Sequence, residues 1–197
     1  DERFIPILKA EFCINQNFKL IHGDALKIPP PSSKYKIVAN IPYYITSPLL
    51  NHFLIEQFQN GNPPELIVFM VQKEVAEKIV AEKCKESVLS MQVKMFGEAI
   101  IISNVPKEAF IPRPKVDSAV IKIKVFKKPA IDVDLKKFFQ LLHFSFSQKR
   151  KKLVNNLEGV LKIKKENLRS ILVENEINED ARAEDLTLIQ WERLFRT

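Results

Sequence analysis

The stretch Leu66-Ile67-Val68-Phe69-Met70-Val71 decides the fold class. It is a continuous apolar run of strand length, preceded by Pro63-Pro64 and followed by the polar Gln72-Lys73-Glu74. A run this short and this apolar suits a central parallel strand covered on both faces. Upstream, Lys36-Ile37-Val38-Ala39 reads as a second buried strand that stops at Asn40-Ile41-Pro42. Between the two, Ser47-Pro48 has the form of an N-cap with proline in the first turn. Leu49, Leu50, Phe53, Leu54 and Phe58 then recur at helical spacing as far as Gly61-Asn62-Pro63-Pro64. Further out, Phe18-Lys19-Leu20-Ile21 reads as a short strand ending at Gly23-Asp24, and Pro29-Pro30-Pro31-Ser32-Ser33 as a loop. Downstream the pattern predicts helices over 72–81 and 88–96 and strands over 99–105 and 119–126. Strand and helix alternate, then two strands close the series. That order predicts an α/β sheet with helices on both faces and an antiparallel strand near its end. Beyond Pro129 no strand is expected. Helices are predicted over about 135–146, 149–156, 166–173 and 188–195, the last opened by a capping box from Thr187 and Gln190. The chain therefore divides into an α/β domain, 1–129, and a small all-α C-terminal domain, 130–197.

Composition narrows the class. In 197 residues 46% are hydrophobic and 28% charged, enough apolar side chain for a sizeable core and unlike a disordered tail. No apolar run approaches the ~18 residues of a membrane span, and Asp1-Glu2-Arg3 does not open a secretory stretch. Cys13 and Cys84 form no CxxC pair, which fits a reducing, cytoplasmic compartment. No His/Cys/Asp cluster has metal-ligand spacing, so no metal is expected. The four glycines, Gly23, Gly61, Gly97 and Gly159, are too far apart for a GxGxxG or Walker loop. Net charge is +7 and unevenly spread. Residues 136–165 carry nine Lys/Arg and one acid, whereas 166–197 carry four Arg and eight acids. The densest basic run is Lys149-Arg150-Lys151-Lys152. On charge alone, a solvated helix face and a phosphate-binding stripe explain it equally well.

Candidate chemistry lies where strands end, because open α/β sheets bind ligands outside the carboxyl ends of their strands. Asp24 sits at one such end. Taken alone, it is best read as a turn residue bonded to its own backbone. Asn40-Ile41-Pro42-Tyr43 sits at another and is more specific. The lone pair on adenine N6 is delocalised into the ring and is a poor nucleophile. Acceptors aimed at the amino hydrogens favour a pyramidal nitrogen that can attack an electrophilic methyl group. An Asn side-chain oxygen and a main-chain carbonyl beside a proline are suitable acceptors, and the adjacent tyrosine ring can stack on an unpaired base. The competing reading is an Asn-x-Pro turn that caps a strand, with Tyr43 and Tyr44 as packing.

The segment Asn40-Ile41-Pro42-Tyr43-Tyr44-Ile45-Thr46-Ser47-Pro48-Leu49-Leu50 resembles the catalytic motif of the ribosomal RNA adenine dimethyltransferases of the KsgA type. Gly23-Asp24-Ala25-Leu26 and Gln72-Lys73-Glu74-Val75-Ala76 are similar to two further segments of that family. So is Phe110-Ile111-Pro112-Arg113-Pro114-Lys115-Val116-Asp117-Ser118-Ala119-Val120. The fifth match is Phe146-Ser147-Gln148-Lys149-Arg150-Lys151-Lys152-Leu153 with Asn155-Asn156-Leu157, which resembles the start of its helical RNA-binding domain. The five matches keep their order along nearly the whole chain. The resemblance implies a Rossmann-like class I methyltransferase sheet over 1–129 and an RNA-binding helical domain over 130–197. It implies S-adenosylmethionine as cofactor, its adenine held by Asp24 and Ala25, with Asn40 also at the cofactor. It implies that Asn40 and the Ile41 or Pro42 carbonyl accept the amino hydrogens, and that Tyr43 and Phe110 stack on the target base. The implied reaction is dimethylation of N6 of two adjacent adenines in a 3′-terminal hairpin loop of small-subunit (16S) ribosomal RNA, within a 30S assembly intermediate. A monomeric protein is expected. Arg113, Lys115, Lys149, Arg150, Lys151 and Lys152 are the implied RNA contacts.

The family opens with a basic segment, a strand, a glycine-rich cofactor loop and a second strand that ends in an acid. Asp1-Glu2-Arg3-Phe4 resembles the stretch just after that acid, so the chain is expected to be an N-terminally incomplete version of a longer protein. As an entire gene product it would be expected to fold poorly and bind little cofactor. Tyr44 stands where many relatives have Asn. His22 is expected to be satisfied or exposed, His143 to be packing and Trp191 to be core. Two alternatives remain: an Erm-type large-subunit RNA methyltransferase, and a non-catalytic RNA-binding factor for ribosome assembly. Pro48-Leu49-Leu50 and Ser147-Gln148-Lys149-Arg150 speak against the first.

Overall fold

The computed structural model describes residues 2–81, 85–148 and 150–197. By its internal contacts the chain forms two compact units, Asp1–Ser32 and Ser33–Thr197.

The first unit contains α1 (Ile5–Glu11), entered through a 3-10 turn with Pro6 at its start. The proline suits this position because its missing N–H would have no intrahelical partner there. The strand expected at 18–21 does not form. A strand is stable only against a ladder partner, and Phe18 instead stacks on Phe12 with ring centroids 4.4 Å apart. The remainder is a chain of turns. Around Asp24, the Lys27 and Ile28 amides donate to the Asp24 carbonyl at 2.9 and 3.1 Å.

The second unit is built on a four-stranded sheet in the order β1-β2-β4-β3. Its strands are β1 (Lys36–Asn40), β2 (Leu66–Gln72), β3 (Gly97–Val105) and β4 (Ser118–Val125). β1 and β2 are parallel, and β4 inserts antiparallel between β2 and β3. The register puts Ile67 opposite Ile123, Phe69 opposite Ile121 and Val71 opposite Ala119. All six are buried and share one face, the main core. The other face is covered less: Leu66, Val68 and Met70 of β2 are only half-buried. β1 is not the fully buried strand its sequence predicts. It lies at the sheet edge, and Val38 is 78% exposed. Among the described residues β1 has a ladder partner only in β2, so its other side is open.

The connection from β1 to β2 is a single helical passage. It begins with a 3-10 turn (Tyr43–Ile45) and α2 (Thr46–Leu50), continues as a π-helix (Asn51–Glu56) and ends in α3 (Gln57–Gln59). Leu49, Leu50, Phe53 and Leu54 are its buried stripe. Ser47-Pro48 lies inside α2, whose N-cap is Ile45 without a side-chain cap bond. The 3-10 turn tied to the preceding motif starts the helix earlier than the Ser-Pro signal does. The passage ends at Gly61, whose φ of +72° only glycine adopts without strain.

Helices α4 (Lys73–Val80) and α5 (Val88–Phe96) follow β2, and α4 packs against β2, β3 and β4. Ser87 and Ser90 form a capping box at the start of α5. After β4 the described residues contain only helices: α6 (Leu135–Phe146), α7 (Leu153–Leu161), α8 (Lys165–Glu174) and α9 (Leu188–Arg196). Phe138, Leu142, Leu157, Leu168, Leu172 and Trp191 fill their core. The capping box of Thr187 and Gln190 is formed. α7 starts at Leu153 rather than near 149, because the Leu153 amide donates to the Ala181 carbonyl at 2.8 Å and fixes the entry. His143, expected as packing, is exposed on α6.

Candidate active site

Asn40 is the last residue of β1, paired with Met70. β2 ends two residues further on at Gln72, and β3 ends at Val105. Because β4 is antiparallel, it begins at this same end. Ser118 lies between Gln72 on one side and Val105 on the other. Three of the segments singled out in the sequence therefore converge on one end of the sheet: 40–50, 72–76 and 110–120.

The side chain of Asn40 is exposed and bonds to no other described residue. Ile41 turns inward and is buried. Pro42, at φ −59° and ψ 129°, redirects the chain into the 3-10 turn, and its carbonyl accepts the Ile45 amide at 3.1 Å. The Ile41 carbonyl has no such partner among the described residues. Thr46 Oγ1 donates to the Tyr43 carbonyl at 2.9 Å and closes the turn from the other side. The Tyr43 hydroxyl and Ser118 Oγ are 2.6 Å apart, and Ser118 is fully buried. Tyr44 is 85% exposed and takes no part in this packing. The site thus offers a free amide, a free carbonyl and an oriented aromatic ring.

Phe110 ends the 3-10 turn Lys107–Ala109 and is half-buried. The loop that carries it is closed at its base. Asp117 Oδ1 accepts the Lys107 amide at 3.0 Å, and the Asp117 carbonyl accepts the Lys73 amide at 3.0 Å, where α4 begins. The Ile111-Pro112 peptide is cis. Arg113 is exposed and ion-paired with Glu108. Lys115 is exposed and has no ion-pair partner among the described residues. Sequence reading assigned no role to Asp117 or Ser118. Their visible signals are a place in the family-matched 110–120 segment and a polar pair just ahead of the alternation of apolar residues and lysine in β4.

Asp24 and Ala25 belong to the first unit. Asp24 Oδ1 accepts the Leu26 amide at 3.0 Å, the turn expected from the sequence, and Oδ2 is 4.0 Å from Lys27 Nζ. The carboxylate is half exposed and keeps acceptor capacity. The Ala25 amide beside it donates to no described residue. An acceptor and a donor are therefore adjacent on an exposed turn.

The basic run lies in the α6–α7 connection, and Lys149 falls outside the described residues. Arg150 and Lys151 are exposed and pair with no carboxylate among the described residues. Lys152 is bonded to Asp180 at 2.5 Å. That hydrogen bond and charge hold the Asp180 carboxyl below its usual range. Asn156, also without an assigned role from sequence, is buried. Its Nδ2 donates to the Ser145 carbonyl at 2.8 Å and to the Gln148 carbonyl at 3.3 Å. It fixes the basic connection to the end of α6. Among the described residues no group of three or more His, Cys, Asp or Glu could hold a metal ion. No described helix is long and apolar enough to cross a membrane.

Comparison with known proteins adds a family. The family described as "Ribosomal RNA adenine dimethylase" matches residues 1–197. The "Ribosomal RNA small subunit methyltransferase A" of Dehalococcoides mccartyi (strain ATCC BAA-2266 / KCTC 15142 / 195) is 36% identical, over 98% of this chain and 67% of that protein. Among solved structures, a dimethyladenosine transferase from Plasmodium falciparum superposes with a TM-score of 0.77 at 26% identity, over 98% of this chain and 78% of that one. The 23S rRNA methyltransferase ErmE superposes with a TM-score of 0.76 at 23% identity, over 100% of this chain and 78% of that one, a likeness of fold alone. The α/β architecture is accordingly the Rossmann-like methyltransferase fold.

Proposed function

Because the chain belongs to the ribosomal RNA adenine dimethylase family, we propose that it methylates N6 of adenine in small-subunit (16S) ribosomal RNA. The substrate bases are two adjacent adenines in a 3′-terminal hairpin loop, each methylated twice, within a 30S assembly intermediate. Bases in a loop are already unpaired, so presenting them to a pocket costs little.

The observation that carries the reading is Asn40. An exposed amide at the carboxyl end of a strand, bonded to nothing described, has no structural task there. Its Oδ1 and the Ile41 carbonyl accept the two amino hydrogens of the target adenine and favour a pyramidal N6. The Pro42 carbonyl is the weaker candidate, since the Ile45 amide already occupies it. Tyr43 and Phe110 provide the stacking surfaces, and neither ring contacts another aromatic ring among the described residues. No strong base is required, because the methylated nitrogen sheds its extra proton to solvent readily.

S-adenosylmethionine supplies the methyl group as an electrophile on sulfur. The turn at Asp24 fits its adenine, with the carboxylate as acceptor for the amino group and the Ala25 amide as donor to the ring nitrogen. Arg113, Lys115, Arg150, Lys151 and Lys152, with Lys149, contact RNA phosphates. The helices beyond residue 130 serve as the RNA-binding domain, and the sheet with the segment before it as the methyltransferase domain.

The test is transfer of radiolabelled methyl from S-adenosylmethionine to undermethylated small ribosomal subunits, with the protein expressed from its complete gene. Asn40→Ala should abolish transfer and leave RNA binding intact. Binding without transfer by the unmutated protein would point to an RNA-binding assembly factor instead.

A further inference from the structure

We propose that Asp117 and Ser118 are positioning residues that hold Phe110 and Tyr43 as the two walls of one slot. The proposal rests on the reading of this site as an adenine pocket. The two rings reach the site from opposite ends of the sequence order: Tyr43 follows β1, and Phe110 precedes β4. Nothing in either local segment relates one ring to the other. The structure relates them through consecutive residues. Ser118 Oγ lies 2.6 Å from the Tyr43 hydroxyl, and Asp117 Oδ1 accepts the Lys107 amide at the start of the turn that ends in Phe110.

The anchors themselves are rigid. Ser118 is fully buried and in register with both β2 and β3. The Asp117 main chain is bonded to the Lys73 amide at the start of α4. A tyrosine ring held only at Cβ can rock about its side-chain torsions. A ring also held at its hydroxyl by a buried serine can no longer swing its long axis about χ1, and the in-plane preference of a phenol O–H biases the ring plane about χ2. A base slot needs two such planes at fixed separation, because stacking falls away as the planes tilt. The Tyr43 hydroxyl therefore has a task separate from the stacking surface of its ring, and Ser118 acts on the substrate only through that ring.

The test uses the protein from its complete gene as unmutated, Ser118→Ala, Tyr43→Phe and double-variant forms. Ser118→Thr is the conservative rescue. Each single substitution should lower kcat/KM for RNA about 5- to 30-fold, the factor for one lost hydrogen bond of this kind. The double variant should be no worse than the poorer single, because both remove the same bond. KM for S-adenosylmethionine should stay unchanged, and Ser118→Thr should recover most of the loss. With 2-aminopurine at the target position, quenching of its emission on binding should weaken in Ser118→Ala and in Asp117→Ala, and return in Asp117→Asn. In the RNA-free protein, the Tyr43 Hα–Hβ three-bond couplings should show χ1 averaging in Ser118→Ala. Multiplying effects of the two single substitutions, or Tyr43 couplings unchanged by Ser118→Ala, would overturn the proposal. The coupling measurement stands whether or not the protein methylates, so it separates failure of the anchor from failure of the functional reading.

Discussion

Asn156→Ala should destabilise the helical part of the chain by about 2 kcal/mol. The side chain is 7% exposed, and its Nδ2 donates to two carbonyls at the end of α6. Ser145 is buried, and loss of the donor takes from its carbonyl the one side-chain partner it has among the described residues, at about 1–3 kcal/mol. Gln148 keeps the Lys151 amide, so its loss is the smaller, about 0.5–1.5 kcal/mol. Against these, Asn156 Oδ1 is buried without a partner, and removing it returns about 1 kcal/mol. For a chain of this size the net change lowers Tm by roughly 4–8 °C. Denaturant unfolding followed by circular dichroism measures it. The sharper variant is Asn156→Asp, which turns an oxygen toward two carbonyls and should be worse than alanine. A loss below about 0.5 kcal/mol for alanine, or an aspartate milder than alanine, would refute the capping argument. RNA affinity should fall in Asn156→Ala with its salt slope retained, because the cations of the connection are still present.

The other predictions concern single residues. Arg150→Ala and Lys151→Ala should each reduce the slope of log affinity against log salt by roughly 0.7–0.9 for every phosphate the side chain neutralises. Lys152→Ala should change it less, since Asp180 already holds that ammonium; equal slopes for all three would contradict the pairing. By NMR titration the Asp180 carboxyl should ionise below the ordinary aspartate range, and Lys152→Ala should raise it most of the way back, with the Arg169 charge still lowering it. Because its folded-state pKa is lowered, any stability from this pair is present above the unfolded aspartate pKa and disappears as pH falls through the folded one. Gly97→Ala should destabilise the sheet by about 1–3 kcal/mol, as overpacking does. A Cβ there would lie 2.7 Å from the Lys124 carbonyl oxygen and 2.9 Å from Ile123 Cγ2. A denaturant midpoint unchanged by the substitution would show that β3 and β4 can separate freely at that end.

The sequence was most legible where a residue acts through its neighbours in the chain. β2, β3 and β4 follow from apolar runs and alternation, and the capping box of Thr187 and Gln190 follows from spacing. It was least legible where the outcome depends on a distant partner. Phe18-Lys19-Leu20-Ile21 has strand composition but no ladder neighbour in its unit, and α1 carries no strong local signal. The same limit applies to the site. Asn40 and Tyr43 are recognisable because a short motif holds both. Ser118 and Asn156 act across 75 and 11 residues, and only the folded chain brings their partners to them.

The direction of β4 makes the site possible. Inserted antiparallel between β2 and β3, it starts at the end where β1, β2 and β3 finish. A parallel strand in that position would start at the opposite end of the sheet. The loop that precedes it, with Phe110, would then lie a strand length from Asn40, on the order of 25 Å for the eight residues of β4. The head of β4 would also no longer face the Tyr43 hydroxyl. Reversal of one strand brings a loop that precedes a strand to the sheet end that otherwise receives only loops that follow one. The proposed acceptors for the amino group come from a loop of the second kind and Phe110 from a loop of the first. Residues 117 and 118, at the point of reversal, are where the two meet.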